Sequence, residues 1–188
     1  MRFTLASPTD RRPTPPPGEI DTIVESSPRD ALARPLLEAL VAEYSRRYHD
    51  LAGRDANAAA YEVYERYPAE LFDPPHGSFI LILRDGAPIA GGGFMPHADA
   101  GTAEIKRMWT SDAHRRQGLA RRVLEALEAR AIALGYTRIH LTTGFRQPEA
   151  AALYHRHGYT GLYDPDSDLA ARFTLPFEKT LVHTEAEA

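Results

Sequence analysis

The spacing of apolar positions first predicts two helices. Residues three and four apart share one side of a segment at about 35–49, namely Leu36, Leu37, Leu40, Val41, Tyr44 and Tyr48. A second helix is predicted over about 56–67, where one face holds Ala60, Val63, Tyr64 and Tyr67 and Pro68 ends the segment. Each helix therefore has one apolar face with which to cover a sheet.

Strands are predicted on both sides of this helical pair. The segment 19–26 alternates weakly, whereas 79–83 is continuously apolar and predicts a buried strand. Asp85-Gly86 is a hairpin signal, and the return strand over 88–94 carries three consecutive glycines at 91–93. Glycine inside a strand indicates a bulge or the close approach of another group.

The second half alternates strands with helices. Strands are predicted over 102–110, 138–142 and 172–181, and helices over 118–134 and 148–157, the last two followed by Gly135 and Gly158. The resulting order, β, α, α, a β meander, α, β, α, β, predicts the α/β class with a mixed sheet in a single domain. We expect a flexible proline-rich arm over 1–18, the domain over 19–183 and a tail over 184–188.

Composition narrows the function classes. The 188 residues carry a net charge of −4, which does not favour a nucleic-acid-binding surface. The absence of cysteine excludes disulfides, thiolate metal sites and a cysteine acyl-enzyme. No secretory signal and no apolar run near 20 residues is visible, so we expect a cytoplasmic protein without a membrane contact.

A basic loop before the 118–134 helix predicts an anion site. The first N–H groups of a helix are unpaired and carry partial positive charge, which suits a pyrophosphate. Gly118 and the small Ala120 permit the backbone to approach the phosphates. Four arginines can add charge-assisted contacts, at positions 115, 116, 121 and 122. The alternative is a solvated helix start with surface arginines.

Two motifs in this region resemble the GNAT acetyltransferase superfamily. Arg115-x-x-Gly118-x-Ala120 matches its Gln/Arg-x-x-Gly-x-Gly/Ala acyl-CoA signature. The segment 147–159 resembles its Asn-x-x-Ala-x-x-Leu-Tyr-x-x-x-Gly-Phe block, with Gln147 in place of Asn and Tyr159 in place of Phe. The resemblance implies the acyl-CoA N-acyltransferase fold, in which helices flank a mostly antiparallel sheet with one splayed strand pair.

The resemblance also implies acetyl-CoA as co-substrate, without a metal. The pantetheine arm is expected to pair with the splayed strand, and the backbone N–H of the Met108–Thr110 segment is expected to serve the oxyanion. The residues implied in cofactor binding are Met108, Trp109, Thr110, Arg115, Arg116, Gln117, Gly118, Leu119, Ala120, Arg121, Gln147, Ala150 and Tyr154.

Two residues are candidates for catalysis. The resemblance places Tyr154 near the CoA sulfur, where a protonated phenol can donate to the departing thiolate, although a core aromatic is the alternative. Glu104, eleven residues before Arg115, occupies the place of the catalytic glutamate of GNAT histone acetyltransferases. Two alternatives remain. A water chain can serve as the base instead, or Glu104 can be a solvated strand residue paired with Lys106.

The acceptor site has weaker signals. Lys106 and Arg107 are consecutive charges that can share one face only if the strand is bulged. Arg107 would suit a substrate carboxylate, and His76 is a second candidate near the acceptor cleft. His155 and His157 point to different sides of a helix, so no metal site is expected there.

These observations predict an N-acetyltransferase that transfers the acetyl group directly to a primary amine of a small molecule, such as an amino acid. A protein or peptide N-acetyltransferase and a non-catalytic acyl-CoA-binding regulatory domain remain open. The expected partner is the small-molecule amine, with no nucleic acid, and the chain is expected to be a monomer or a homodimer.

Overall fold

The computed structural model describes residues 20–51, 53 and 55–182. The predicted proline-rich arm over 1–18 and the tail over 184–188 lie outside these residues. Within them, no helix is long and apolar enough to cross a membrane.

Seven strands form one sheet in the described part of the chain. The sheet order is β1-β2-β3-β4-β5-β7-β6, and the β4–β5 pair is parallel whereas the other pairs are antiparallel. The strands are β1 Asp21–Ser26, β2 Ser78–Arg84, β3 Ala87–Pro96, β4 Thr102–Thr110, β5 Arg138–Gly144, β6 Thr160–Gly161 and β7 Thr174–Thr180. The predicted mostly antiparallel α/β architecture is thereby confirmed.

Five α-helices accompany the sheet in the same described residues. They are α1 Arg34–Tyr48, α2 Ala56–Ala60, α3 Leu119–Ala133, α4 Pro148–Arg156 and α5 Leu169–Arg172, with short 3₁₀ turns at Ala31–Ala33, Ala69–Phe72 and Asp112–His114. The second predicted helix is only partly α-helical, because α2 continues as a π-helical turn over Tyr61–Glu65. The short β6 and α5 were not predicted, since two and four residues carry no readable periodicity.

Two apolar layers cover the sheet. On one face, α1 and the π turn bury Leu36, Leu40 and Val63 against Phe79 and Leu81 of β2. On the other face, a larger cluster packs α3 and α4 against inward residues of β2 to β5 and β7, among them Ile80, Ile82, Ile105, Leu124, Leu127, Ile139, Tyr154 and Phe177. The strand β2 reads as a continuous apolar run because both of its faces are covered.

The glycines of β3 permit close packing of this first layer. A Cβ atom on Gly91 would lie 2.7 Å from the Ile80 carbonyl oxygen and 2.8 Å from a methyl group of Leu36 in α1. A Cβ on Gly92 points to the other face, where its nearest neighbour is the flexible thioether of Met108 at 2.9 Å. The predicted close approach therefore occurs, and the approaching group is helix α1 together with β2.

A bulge interrupts β4 at the consecutive charges. Gly93 pairs with Lys106 and Gly91 pairs with Trp109, so two residues of β4 lie opposite one residue of β3. Arg107 adopts a φ of 57°, in the left-handed region. Both Lys106 and Arg107 thereby face the α1 layer, where Lys106 contacts Tyr67. The condition stated for the two charges to share one face, a bulge in the strand, is therefore met.

Gly91→Ala is expected to destabilise the fold by about 1–3 kcal/mol. The added methyl group would overlap the Ile80 carbonyl oxygen and the buried Leu36 side chain, and neither can move aside without disturbing the packing. Gly92→Ala is the matched control, and its cost should be smaller because the Met108 thioether can rotate away. Chemical denaturation of both variants measures the difference. Equal losses at the two positions would contradict the close packing of α1 on β3.

Candidate active site

The cleft opens where β4 and β5 stop pairing. Their parallel ladder runs from Thr102–Arg138 to Ile105–Leu141, and beyond it the remaining residues of the two strands are not paired with each other. On its other side β4 continues to pair with β3 as far as Thr110, and β5 pairs with β7 over its full length. The two strands therefore separate as a V, as the resemblance implied. A cavity of about 790 Å³ lies at the opening.

The end of β4 forms one wall of this cavity. Met108, Trp109 and Thr110 all line it. Met108 packs against the α3 layer, and Trp109 packs against the α1 layer, so alternate side chains anchor the strand on both faces. The buried hydroxyl of Thr110 has no hydrogen-bond partner within the described residues. The edge of β4 that β5 has left can pair with an extended ligand in the manner of an added strand.

The basic loop leads from β4 into α3. Gly118 precedes the helix with a φ of 76° and offers no side-chain cap, so the first helical N–H groups face the cavity without a protein acceptor from that residue. Leu119 is buried and anchors the helix start, while Ala120 and Arg121 line the cavity. Backbone N–H groups placed in this way are suited to binding an anion, which is the role that the glycine predicts.

The arginines of the loop divide into two groups. Arg115, Arg116 and Arg121 line the cavity, with Arg115 held 2.7 Å from Asp112. Arg122 does not contribute there, because it pairs with Asp21 of β1. The Gln117 side chain also turns away, since its Oε1 accepts a hydrogen bond from Arg84 at 3.0 Å, and it does not line the cavity.

The opposite wall comes from β5 and α4. The carbonyl oxygen of the Gln147 side chain accepts a hydrogen bond from the Thr143 hydroxyl at 2.7 Å and lies 3.4 Å from the Gly144 nitrogen. Gln147 thus fixes the turn into α4, and its side-chain NH₂ group is left to donate to a ligand. Ala150 and Tyr154, one helical turn apart on α4, line the cavity beside it.

Tyr154 combines burial with access to the cavity. Its ring is packed by Tyr159 at 5.8 Å and Phe177 at 5.5 Å between centroids, and only 5% of the residue is exposed. Burial raises the pKa of Tyr154 above its usual value, so the phenol stays protonated at neutral pH. Tyr154 is therefore a core aromatic that also lines the cavity and carries a protonated phenol.

Glu104 lines the cavity, but its carboxylate is already paired. Lys106 Nζ lies 2.7 Å from Oε1, and His140 Nδ1 lies 3.7 Å from it. Burial acts to raise the pKa of Glu104, but contact with His140 and the charge of Lys106 outweigh it and lower the pKa to about 2. A carboxylate held ionised in this way is a weak base, so the arrangement favours the water chain over Glu104.

The same carboxylate belongs to a group of side chains that could hold a cation. Ligand atoms of His97, Glu104 and His140 lie within 4.8 Å of one another, on neighbouring strands or just beyond them. The Nδ1 atom of His97 accepts a hydrogen bond from the Asp99 N–H at 3.1 Å. Because Lys106 already supplies a positive charge to Glu104, a second cation would be repelled, and we assign no metal here.

The two acceptor candidates are placed differently. Arg107 lines the cavity beneath the π turn. His76 lies outside it, in the exposed segment before β2, where its carbonyl oxygen accepts a hydrogen bond from the Tyr136 hydroxyl at 2.7 Å. We therefore assign no acceptor role to His76. It follows the 3₁₀ turn Ala69–Phe72, and the spacing of residues along the sequence does not show that it lies outside the cavity.

Several residues that line the cavity carry no signal in the sequence. They come from α1, the π turn, β5 and the segment before β7, and include Glu43, Glu62, Thr142, Thr143, Gly144 and Phe173. These elements are distant in sequence and carry no motif of their own, apart from the tyrosine-rich face of the first two helices. The packing of α1 and the π turn on the sheet and the parallel pairing of β4 with β5 together bring them to the cavity.

Comparison with known proteins agrees with this geometry. A model of the acetyltransferase (GNAT) family matches residues 36–159. The chain is 33% identical over 113 residues to a protein named IAA acetyltransferase from Azospirillum brasilense, covering 53% of this chain and 74% of that protein. It is 36% identical over 125 residues to the N-acetyltransferase YsnE of Bacillus subtilis (strain 168), whose function is uncharacterised, covering 58% of this chain and 82% of that protein.

Solved structures share the fold. The PaiA N-acetyltransferase from Thermoplasma acidophilum, in complex with coenzyme A, superposes with a TM-score of 0.64 at 16% identity and covers 86% of this chain and 99% of its own. An acetyltransferase from Streptococcus agalactiae 2603 superposes with a TM-score of 0.62 at 20% identity, covering 86% and 98% of the two chains.

The fold is that of an acyl-CoA N-acyltransferase. The chain belongs to the GNAT acetyltransferase family.

Gly118→Ala is expected to weaken CoA binding by about tenfold, because a Cβ at positive φ is strained and displaces the N–H groups that face the pyrophosphate. Titration calorimetry with CoA measures the affinity. Gly135→Ala, at the other end of α3 with a φ of 85°, is the matched control. The Gly135→Ala variant should lose a similar amount of stability but bind CoA as tightly as the wild type. Equal losses of CoA affinity in the two variants would contradict the proposed role of the loop.

Glu104→Gln is expected to destabilise the fold at neutral pH and less so in acid. The folded-state pKa of about 2 lies below the ordinary value of 4.5. The ionised carboxylate therefore stabilises the fold fully above about pH 4.5, and this stabilisation is lost as the pH falls through about 2. After allowance for solvent screening of the partly exposed carboxylate, the contribution at neutral pH is on the order of 1–2 kcal/mol.

Urea unfolding of wild type and variant between neutral pH and about pH 3 measures this contribution. Glu125→Gln is the control, since Glu125 is more exposed and its Arg121 partner lies 3.6 Å away, and it should change stability by less than about 1 kcal/mol. A loss in Glu104→Gln that does not narrow below about pH 4.5 would show that the carboxylate is not held ionised by its partners.

Proposed function

We propose that the protein is an acetyl-CoA-dependent N-acetyltransferase that acetylates a primary amine of a small molecule by direct attack. One observation carries this proposal, namely that a single cleft joins the helix N-terminus at Gly118, the unpaired edge of β4 and the Tyr154 phenol. These are the three groups needed for the pyrophosphate, the pantetheine arm and the thiol end of one ligand.

The residues present fit acetyl-CoA. The N–H groups at the start of α3, with Arg115 and Arg116, offer positive charge to the pyrophosphate. The free edge of β4 and the side-chain amide of Gln147 lie on opposite walls, where a chain of amides can bind between them. Bound acetyl-CoA would supply a thioester carbonyl for attack.

Direct attack requires one proton to leave the amine and another to reach the departing thiolate. The amine nitrogen forms the new bond to the acetyl carbon, and the bond from that carbon to sulfur breaks. A backbone N–H of the 108–110 segment stabilises the oxyanion, and Tyr154 donates a proton to the departing thiolate. Water carries away the proton of the amine, because Glu104 is occupied by Lys106. Without cysteine, no thiol acyl-enzyme can form in this chain.

The acceptor end of the cleft supports a small acceptor. Its lining is largely aromatic and aliphatic and comes from α1, the π turn and the segment after it, including Leu40, Tyr44, Tyr48, Val63 and Tyr67. These side chains wall the space over β4, as in a pocket for a compact molecule with an apolar body. The low basicity of Glu104 removes the feature that favoured a protein acceptor.

The protein should release free CoA thiol from acetyl-CoA when a suitable amine is supplied. A panel of amino acids, aromatic amines, polyamines and lysine peptides, assayed for thiol release after CoA binding has been shown by thermal shift, tests the proposal. Release with small amines and none with peptides supports it. Faster release with peptides would favour the protein acetyltransferase, and CoA binding with no release would favour the regulatory domain.

Tyr154→Phe is expected to lower kcat by about 100-fold while leaving CoA affinity close to that of wild type, because the ring stays and only the proton donor is lost. Tyr159→Phe is the matched control, since its hydroxyl donates to Glu128 at 2.9 Å away from the cleft. This control should lose about 1 kcal/mol of stability and retain its kcat. Wild-type turnover in Tyr154→Phe would remove the proposed acid.

A further inference from the structure

Arg107 is a buried cation on the wall of the acceptor cleft. Only 7% of the residue is exposed, and its guanidinium lies 4.5 Å from the centre of the Phe72 ring. One nitrogen, Nη2, donates to the Tyr67 carbonyl oxygen at 2.8 Å. The other two nitrogens, Nε and Nη1, are buried without a hydrogen-bond partner in the described part of the chain.

No described carboxylate pairs with this guanidinium. The neighbouring side chains that face it, Tyr44 from α1 and Tyr64 from the π turn, are phenols whose pKa is raised by burial, so they carry no charge at neutral pH. Burial also lowers the pKa of Arg107 to about 10, which still leaves it charged at neutral pH. The site therefore holds a positive charge that the described protein does not neutralise.

The other cations at this end of the cleft are already paired. Lys106 lies 2.7 Å from Glu104, and Arg66 lies 2.6 Å from Glu62. The carboxylates Glu104 and Glu62 therefore lie near Arg107, but each pairs with another cation and neither forms an ion pair with the Arg107 guanidinium. Among the described cations at the acceptor end of the cleft, Arg107 is thus the one without a carboxylate partner.

Such a residue is costly to keep. A buried charge without a counterion lowers stability, and so do two buried donor nitrogens without acceptors. The left-handed φ of Arg107 adds backbone strain. A neutral apolar side chain at this bulge would avoid the charge penalty, so the arginine indicates an anionic ligand that enters the cleft and pairs with it.

We propose that the acetyl acceptor is an amino acid or a related amine bearing a carboxylate, and that Arg107 binds that carboxylate. This inference rests on the proposed acetyltransferase function. The position is appropriate, because Arg107 immediately precedes the 108–110 segment assigned to the oxyanion. Tyr44 and Tyr67 beside it offer an aromatic surface to the remainder of the acceptor, so an apolar or aromatic side chain is favoured.

The experiment compares carboxylates with their amides on CoA-loaded protein, where the pyrophosphate site is already filled. The probes are N-acetylphenylalanine, N-acetylleucine and N-acetylglycine, each against its C-terminal amide, with affinity measured by calorimetry. Wild type should bind at least one acid about tenfold more tightly than its amide, which corresponds to roughly 1.4 kcal/mol. No preference for the acid in any pair overturns the inference.

Arg107→Met should abolish the preference while still binding CoA. Arg107→Lys, which retains a charge but not the planar guanidinium, should keep a reduced preference and serves if the methionine variant does not fold. Arg66→Met is the matched control, because Arg66 lines the same cleft but is paired with Glu62, and it should keep the wild-type preference. A wild-type preference that persists in Arg107→Met also overturns the inference.

Thiol-release assays with phenylalanine and phenylalaninamide separate this inference from the proposed function. Release with both at equal kcat/KM supports acetyl transfer and contradicts the carboxylate site. Arg107-dependent binding of the acids with no release from any amine contradicts acetyl transfer and supports the anion site. Faster release with phenylalanine, lost in Arg107→Met, supports both.

Discussion

The separation of β4 from β5 beyond the Ile105–Leu141 pair is the constraint on which the site depends. A parallel ladder that continued to Thr110 would close the cleft and use the backbone groups that a pantetheine arm needs. The bulge at Arg107 lies two residues past the last pair, and a bulge bends and twists its strand. On the other side, β5 stays paired with β7 along its whole length and cannot follow β4. The two strands diverge because each has a different remaining partner.

The bulge also decides which charges face the acceptor. It places Lys106 and Arg107 on one side of the sheet, where strict alternation would have sent one of them into the α3 layer. Glu104 then neutralises Lys106, and in doing so it becomes a weak base. Arg107 is left with its charge buried among aromatic rings. One irregularity in the backbone thus links the geometry of the cofactor cleft to the electrostatics of the acceptor end.

Backbone and side chains serve different ends of the cleft. At the pyrophosphate end, the glycine loop and the N-terminus of α3 supply fixed dipoles that need no particular side chain to be charged. At the thiol end, Tyr154 is held by packing against Tyr159 and Phe177, which keeps the phenol protonated and oriented. The proposed donor half therefore depends mainly on backbone groups and on one packed aromatic residue. The proposed acceptor half is lined by side chains of α1 and the π turn, which would contact the amine.

The sequence by itself determined the order of the longer helices and strands, the glycine at the start of α3 and the condition that two adjacent charges share a face only across a bulge. These features are local, since periodicity, a glycine at a helix start and two adjacent charges are each read within a few residues. The tertiary structure alone decided the pairing of charges across the fold. Arg122 was a phosphate candidate by proximity but pairs with Asp21, about a hundred positions away. His76 was an acceptor candidate but lies outside the cleft. Thr142 and Gly144 line the cleft, although no sequence pattern had indicated them. Such contacts depend on which strand lies beside which, and hydrophobic spacing carries no information about partners that only folding brings together.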